Sequence, residues 1–205
     1  MITSSNARGS TLAGLSALVL ALTGCSTTPA AAPSAPPATG AQTGSSSAGD
    51  DLLASHGLSG TSGQQVVESL DRNPGARPLS LRGSVRPDQV VLDDGVRQAT
   101  LPLPKDSFYL SIAPYENRTH ECFHHNLGTC QGELANEQVH VKITDSAGKA
   151  VVDQQATTYA NGFVGFWVPR GSSGTVTITR DDKTGQTPFS TGADSPTCLT
   201  TLRLT

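Results

Sequence analysis

The chain has 205 residues, of which 36% are hydrophobic and 4% aromatic, and these fractions are low for a packed domain. Its formal net charge of −3 argues against a nucleic-acid-binding protein, because such proteins need clustered basic charge to displace counterions. No apolar run reaches the ~20 residues that a membrane-spanning helix requires. The low apolar content is concentrated in residues 26–49, which contain no charged residue, no aromatic residue and no Val, Ile or Leu.

Residues 1–24 are predicted to be a lipoprotein signal peptide. Arg8 is the only basic side chain before a short apolar stretch at 12–22, which has signal-peptide length. The sequence LTGC at 22–25 resembles a bacterial lipobox, where the signal is cut before the cysteine and lipid is added to its thiol. We therefore expect an extracytoplasmic protein, in the periplasm or on the outer face of the cell membrane, held only by lipid on Cys25. An ordinary secretory signal with a chance cysteine is the alternative.

The rest of the chain is predicted to be a tether and two folded parts. Residues 25–49 comprise the lipidated cysteine and a disordered Pro/Ala/Ser/Gly tether that cannot bury enough apolar surface to fold. Residues 50–85 are predicted to form a small helical N-terminal domain, with one helix from residue 50 to Gly57 and a second before Asn73-Pro74. Thr61 or Ser62 can cap the second helix, and Thr61 with Gln64 has capping-box spacing. This head is too small for its own core, so it packs on the body or on a second copy, which leaves a homodimer open.

Residues 86–205 are predicted to form a β-rich, metal-binding domain. Short apolar or alternating runs separated by polar turns predict strands near 90–92, 96–101, 108–113, 139–143, 151–158, 163–168, 175–179, 187–189 and 198–204. Several short strands with few helices favour a β-sandwich. The predicted fold class is α+β, mainly β, with a small helical N-terminal domain followed by an antiparallel β-sandwich-like C-terminal domain.

One short segment concentrates the residues suited to metal chemistry. Residues 119–130 contain His120, Cys122, His124, His125 and Cys130, while the remaining non-lipid cysteine lies far downstream at position 198. Imidazole and thiolate ligands suit Cu(I) or zinc. If residues 120–122 are extended, His120 and Cys122 project from the same face.

The number of cysteines leaves a structural disulfide open beside a metal site. A Cys122–Cys130 bridge is feasible in an oxidising compartment, but three non-lipid cysteines cannot all pair. Structural zinc usually takes four ligands with short C-x₂-C pairs, which are absent from the sequence, and blue copper usually takes a methionine, yet Met1 is lost with the signal. A Cu(I) site of two or three thiolates with imidazole support fits better, and zinc remains the alternative metal.

Long motifs across the folded part resemble a known family. They are FYLSIAPY at 108–115, THECFHH at 119–125, CQGE at 130–133, NGFVGFW at 161–167 and PFSTGADSPTCLT at 188–200. Together they resemble the CueP family of periplasmic copper-binding proteins, and the likeness extends over nearly all of 50–205. The resemblance implies a copper site with Cys122, Cys130 and Cys198 as ligands and with His120 and His125 at the family's histidine positions, while His124 occupies a variable one. The lipobox and tether depart from the family's plain periplasmic signal.

The expected function is copper sequestration, or hand-over to a copper-receiving protein, contributing to copper homeostasis and resistance. A metal-binding protein is favoured over an enzyme, so no catalytic residue is assigned. One alternative is a thiol-redox lipoprotein that reduces Cu(II) or exchanges disulfides through the same thiols. The other alternative is a structural β-sandwich interaction module with a stable disulfide and no metal.

Overall fold

The computed structural model describes residues 44–205. Its elements are α1 (Gly44–Ser55), α2 (Gly63–Asp71), β1 (Arg82–Val85), β2 (Gln89–Asp93), β3 (Gln98–Pro102), β4 (Ser107–Ile112), β5 (Gln138–Asp145), β6 (Ala150–Thr157), β7 (Val164–Pro169), β8 (Ser173–Arg180), β9 (Lys183–Ser190) and β10 (Cys198–Leu199). The expected signal peptide, the lipid site at Cys25 and residues 26–43 of the expected tether lie outside the described residues. Within the described part, no helix is long and apolar enough to cross a membrane.

The N-terminal part combines the two helices with a three-stranded antiparallel sheet in the order β1-β2-β3. Its core contains buried side chains from both helices and from this sheet, namely Leu52, Leu53, Val66, Val67, Leu70, Val85, Val90 and Leu92. The same core includes Tyr109 from β4 and Leu127 from the loop that follows β4. The helices therefore pack on the rest of the same chain.

The C-terminal part is a sandwich of two sheets. One sheet has the order β10-β4-β7 and the other the order β6-β5-β8-β9, and the core between them is apolar. Alternation along β5 explains its position, because Val139, Val141 and Ile143 are buried while the residues between them are not. Every ladder is antiparallel except the short β10–β4 pair, which places Cys198 opposite Ser111. The predicted class, α+β and mainly β, is confirmed.

Several local predictions differ from the structure. The helix predicted from residue 50 begins at Gly44, and α2 is capped by Ser62 with Gln65 as its reciprocal partner, so the capping box proposed for Thr61 and Gln64 is wrong. Ser62 is the residue whose extended backbone aims its hydroxyl at the N–H group three residues later. Strand β1 lies in the 50–85 segment expected to be helical and pairs with β2 across that boundary.

Strand β9 begins earlier than its predicted start at residue 187. Asp181 and Asp182 alone turn the chain from β8 to β9, and Asp181 has φ 53°, a left-handed conformation that aspartate tolerates. Pro188 has no N–H group, but β9 is the edge strand of its sheet. A proline is tolerated there because one side of an edge strand has no neighbouring strand to which an N–H would donate.

Candidate metal centre

The three cysteines come from two separate parts of the chain that the fold brings together. Cys122 and Cys130 lie on the long loop between β4 and β5, whereas Cys198 begins β10. The main-chain N–H groups of Thr197 and Cys198 both donate to the Phe123 carbonyl, at 3.0 and 3.2 Å. Strand β10 therefore fixes the middle of the loop beside Cys198.

The sulfur atoms form one compact group. Cys122 and Cys198 are joined in a disulfide, with 5.7 Å between their Cα atoms, and Cys130 is a free thiol. The Cys130 Sγ lies 3.6 Å from the Cys122 Sγ. The sequence made a Cys122–Cys130 bridge feasible, but in the structure Cys122 is bonded to Cys198 instead. This pairing is possible because β10 brings the distant Cys198 to the loop.

His125 is fully buried beside the sulfur group. Its Nδ1 lies 3.8 Å from the Cys198 Sγ, and its ring packs against Phe163 with 4.4 Å between centroids. The main-chain N–H of His125 donates to the Thr197 hydroxyl at 3.0 Å, and that hydroxyl donates to the Val85 carbonyl at 2.7 Å. These hydrogen bonds fix the main chain of His125, and Phe163 packs against its ring.

His120 approaches the cysteines from the more exposed side. Its Nε2 is buried and has no hydrogen-bond partner within the described residues. A buried imidazole nitrogen without a partner costs free energy unless something binds it, and a metal ion is one such ligand. His124, half-buried between Phe123 and the Arg86 region, belongs to neither of the groups of potential ligand atoms described next.

The potential ligand atoms form two overlapping groups that share one sulfur. His120, Cys122 and Cys130 form the outer group, and His125, Cys130 and Cys198 form the inner group. Within each group the ligand atoms lie within 4.8 Å of one another. All five residues predicted from the sequence therefore converge, with Cys130 common to both groups.

The inner group is connected to a buried carboxylate. Asp71, at the end of α2, is fully buried and lies 2.9 Å from the His125 Nε2. It also accepts hydrogen bonds from the Tyr109 hydroxyl at 2.6 Å and the Asn161 amide at 2.7 Å. Burial alone would raise the pKa of Asp71, but the His125 charge and these hydrogen bonds hold that pKa below its ordinary value.

The charges around the inner group favour a thiolate. Burial would lower the pKa of His125, but the Asp71 carboxylate overrides burial and raises it to about 9. Burial would likewise raise the pKa of the Cys130 thiol, yet hydrogen bonds from His125 and the Asn126 N–H lower that pKa overall. A thiolate is the form of cysteine that binds metal and attacks disulfides.

Two open cavities reach the outer group from solvent. The larger, of about 540 Å³, is lined by Arg118, Thr119, His120, Thr129, Cys130, Gln131, Gly132 and Glu133. The other, of about 470 Å³, is lined by Tyr115, Thr119, His120, Glu121, Cys122, Thr200 and Thr201. All three residues of the outer group line these cavities, whereas His125 and Cys198 line neither, so solvent reaches the outer group and, of the inner group, only Cys130.

The sequence interpretation missed Asp71, Tyr109 and Asn161. Tyr109 and Asn161 lie 38 and 90 positions from Asp71, so no local spacing could connect them. Asp71 did carry one signal, because it falls on the buried face of α2 with Val67 and Leu70. An aspartate on the apolar face of an amphipathic helix indicates a buried polar partner.

Comparisons with known proteins identify the family. The family described as "Periplasmic copper-binding protein CueP" matches residues 65–203. The chain belongs to the CueP family. A solved structure described as "Crystal Structure of S.CueP" is 45% identical to this chain, with a TM-score of 0.74, and the match covers 76% of this chain and 96% of that one. No curated protein matches the chain. The family assignment confirms the resemblance seen in the sequence motifs, and CueP proteins are described as periplasmic and copper-binding.

Proposed function

We propose that this protein binds copper outside the cytoplasm, holds it chiefly as Cu(I), and sequesters it or hands it to a copper-receiving protein. The observation that carries the proposal is the convergence of Cys122, Cys130, Cys198, His120 and His125 into two groups of ligand atoms that share Cys130. Membership of a family described as copper-binding supports the choice of copper. The role in copper homeostasis and resistance follows from sequestration or hand-over.

The donor atoms favour Cu(I) over harder ions. Thiolates are soft ligands, and Cu(I) accepts low coordination numbers, so two or three sulfurs with one imidazole suffice. Zinc remains the alternative metal, because it also accepts mixed cysteine and histidine ligands. Full use of the sulfurs requires the Cys122–Cys198 disulfide to be reduced, since only thiolates bind metal well. Bound metal would then keep the sulfurs from oxidation.

Competition for Cu(I) against a coloured chelator tests the proposal, under anaerobic conditions and with Cys25→Ser in every sample to remove the lipid thiol. The reduced protein should withdraw Cu(I) from the chelator, and the triple variant C122S/C130S/C198S should not. Equal competition by the triple variant would refute the site. A free-thiol count with and without Cu(I) adds a second readout, because bound thiols should become unreactive. A disulfide that persists through aerobic purification, together with no Cu(I) uptake once it has been reduced, would favour the structural interaction module.

We also propose that lipid on Cys25 anchors the protein to a membrane. The lipobox sequence at residues 22–25 supports this anchor, and the Pro/Ala/Ser/Gly segment that follows it would separate the lipid from the folded part. Radiolabelled fatty acid should enter the wild-type protein and not Cys25→Ser. Labelling of both proteins to the same extent would contradict lipidation at this position.

A second candidate function is thiol redox chemistry, favoured by the 3.6 Å between the Cys130 and Cys122 sulfurs. The Cys130 thiolate can attack the Cys122 sulfur, forming a Cys122–Cys130 bond while the Cys122–Cys198 bond breaks and Cys198 leaves as thiolate. When a dithiol reductant has opened the disulfide, two Cu(II) ions can each take one electron from the cysteine pair. The products are two Cu(I) ions, one disulfide and two protons. Repeated Cu(II) reduction in the presence of the dithiol would favour this function, whereas a single stoichiometric turnover would favour storage.

A further inference from the structure

Asp71 stands at an unfavourable position for a carboxylate, both in the helix and in the core. It is the last residue of α2, where the helix dipole favours positive charge, and its side chain is fully buried. A buried carboxylate is costly unless hydrogen bonds and an opposite charge compensate it. The cost is compensated by three partners that come from three separate parts of the chain, which are Tyr109, His125 and Asn161.

The contact with His125 determines which imidazole nitrogen faces the sulfur atoms. The Nε2–H group donates to the Asp71 carboxylate at 2.9 Å, so that nitrogen is occupied. The other nitrogen, Nδ1, lies 3.8 Å from the Cys198 Sγ and belongs to the inner group with Cys130. A carboxylate that accepts a hydrogen bond from one histidine nitrogen fixes the ring orientation and makes the opposite nitrogen a better donor to a metal.

Tyr109 and Asn161 fix the carboxylate itself. The tyrosine hydroxyl binds one Asp71 oxygen at 2.6 Å, and the Asn161 amide binds the other at 2.7 Å. The Asn161 side-chain oxygen also accepts the Phe163 N–H at 3.0 Å, which anchors the amide to the segment whose aromatic ring packs on His125. Asp71 therefore cannot turn away from His125 without breaking contacts to both β4 and the segment before β7.

We propose that Asp71 is a positioning residue of the metal centre: it holds His125 with Nδ1 directed at Cys130 and Cys198, and so makes helix α2 part of the copper site. This inference rests on the proposed copper-binding function. It assigns the helix a role in ligand geometry in addition to its role in packing. The contact between Asp71 and a bound ion is indirect, through the imidazole.

The test is Cu(I) competition with the full-length chain and a double-mutant cycle. Asp71→Asn keeps the side-chain volume and removes the charge, and it should lower Cu(I) affinity about 10–100-fold, the usual effect of losing a carboxylate behind a ligating histidine. The effect should be absent when Asp71→Asn is introduced into a His125→Asn background, because Asp71 acts only through that ring. Leu70→Ala is the matched control, since it loosens the same end of α2 and leaves Asp71 in place.

The outcomes separate this inference from the copper site itself. Leu70→Ala should lower the free energy of unfolding while changing Cu(I) affinity less than Asp71→Asn does. An unchanged affinity in Asp71→Asn, or an equal loss in the His125→Asn background, would overturn the positioning role while leaving the copper site intact. A wild-type chain that fails to compete for Cu(I) would overturn the proposed function and this inference with it.

As a second measurement, ¹⁵N NMR should show that wild-type His125 carries its proton on Nε2 and binds the metal through Nδ1. The same tautomer and metal-bound nitrogen in Asp71→Asn would count against the proposal.

Discussion

At the scale of single residues, Cys130 differs from the other two cysteines of the folded part. It belongs to both groups of ligand atoms, it carries the free thiol, and its pKa is lowered despite burial because His125 and the Asn126 N–H interact with it. Cys122 and Cys198 each belong to one group and are bonded to each other. Loss of Cys130 removes a potential ligand from both groups found among the described residues.

Cys130→Ser should therefore weaken Cu(I) binding more than Cys122→Ser or Cys198→Ser, when all three are measured fully reduced against the same chelator. Each of the other single variants keeps one complete group, so some affinity should remain. His140→Asn is a suitable control, because His140 pairs with Asp153 on the sheet surface, away from the cysteines. Equal losses in the three cysteine variants would show that the two groups do not act separately.

Glu133 stabilises the loop that carries His120. Its carboxylate accepts the N–H groups of Glu116, Asn117 and Arg118 at 2.7, 2.9 and 3.3 Å, and these hydrogen bonds hold the pKa of Glu133 at about 2. A carboxylate with a lowered folded-state pKa stabilises the fold above its unfolded pKa of about 4.3. That contribution is lost as the pH falls from there towards 2.

Glu133→Gln should accordingly lower the free energy of unfolding at neutral pH, and the difference from wild type should shrink as the pH falls from about 5 to 2. Urea unfolding followed across this pH range measures the effect. Glu137→Gln offers a control, because Glu137 carries an ion pair with Arg180 and accepts no hydrogen bonds from the 116–118 backbone. A constant difference between wild type and Glu133→Gln at all pH values would contradict this account.

At the scale of elements, a close approach of two backbones holds the Cys130 loop against the turn before β7. A Cβ on Gly162 would lie 2.6 Å from the Gly132 carbonyl carbon and oxygen, and Gly162 has a φ of +78°. The Gly132 N–H also donates to the Asn161 carbonyl at 2.7 Å. Any side chain at position 162 must therefore push the loop away from Asn161 and Phe163, which contact Asp71 and His125.

Gly162→Ala should both destabilise the protein and weaken Cu(I) binding. Gly148→Ala is the matched control, because Gly148 has a φ of +83° and nothing lies within 4 Å of its Cβ position. The control should cost about 1–2 kcal/mol for the left-handed backbone alone, and Gly162→Ala about 1–3 kcal/mol more for the clash. Thermal unfolding and chelator competition measure the two effects. Similar results for the two variants would show that the backbone approach is unimportant.

Strand and helix positions could be predicted where local chemistry determines them. The alternation of Val139, Val141 and Ile143 predicted strand β5. These three side chains are buried on one face of the strand, as the pattern requires. Strand β1 could not be predicted, because Arg82, Gly83 and Ser84 carry no apolar alternation and the strand is defined by its pairing with β2. Thr61 and Ser62 are both suitable helix-capping residues, so the sequence does not distinguish them. The structure does, because Ser62 has the extended backbone conformation that an N-cap needs.

The candidate ligand residues could be identified in the sequence because they cluster there and resemble a family pattern, whereas the residues that contact them could not. His120, Cys122, His125 and Cys130 lie within a dozen residues, so their chemistry is visible without a fold. The pairing of Cys122 with Cys198 spans 76 positions and depends on β10 lying beside β4. The Asp71 contacts depend on packing between α2, β4 and the segment before β7, which no sequence spacing encodes.

At the scale of the whole molecule, the disulfide and the proposed metal ion would be alternative crosslinks between the same parts of the chain. The Cys122–Cys198 bond closes a long stretch of chain, and opening such a loop typically costs about 2–4 kcal/mol of stability. Cu(I) held by both cysteines would join the same positions. Binding to the folded state stabilises it by about 2.7 kcal/mol when the free ligand is at 100 times its dissociation constant.

The reduced protein should therefore unfold at a lower urea concentration than the oxidised protein, and Cu(I) should restore most of the difference. The oxidised protein should respond less to Cu(I), because two of its sulfurs are unavailable. Anaerobic urea unfolding of the two forms with and without metal makes the comparison, with Ag(I) as a soft-ion control. Equal stabilisation of the oxidised and reduced forms by Cu(I) would contradict shared use of these cysteines.

The position of β10 after the other ligand-bearing segments also sets the order of events during biosynthesis. Ribosomes make the N-terminal part first, so His120, Cys122, His125 and Cys130 emerge well before Cys198. Strand β10 must reach β4 before the last sulfur joins the others and before the Thr197 hydroxyl holds His125. A chain that has not yet reached Cys198 thus has no complete inner group. The copper binding proposed for the inner group therefore has to wait until Cys198 has been made and β10 has paired with β4.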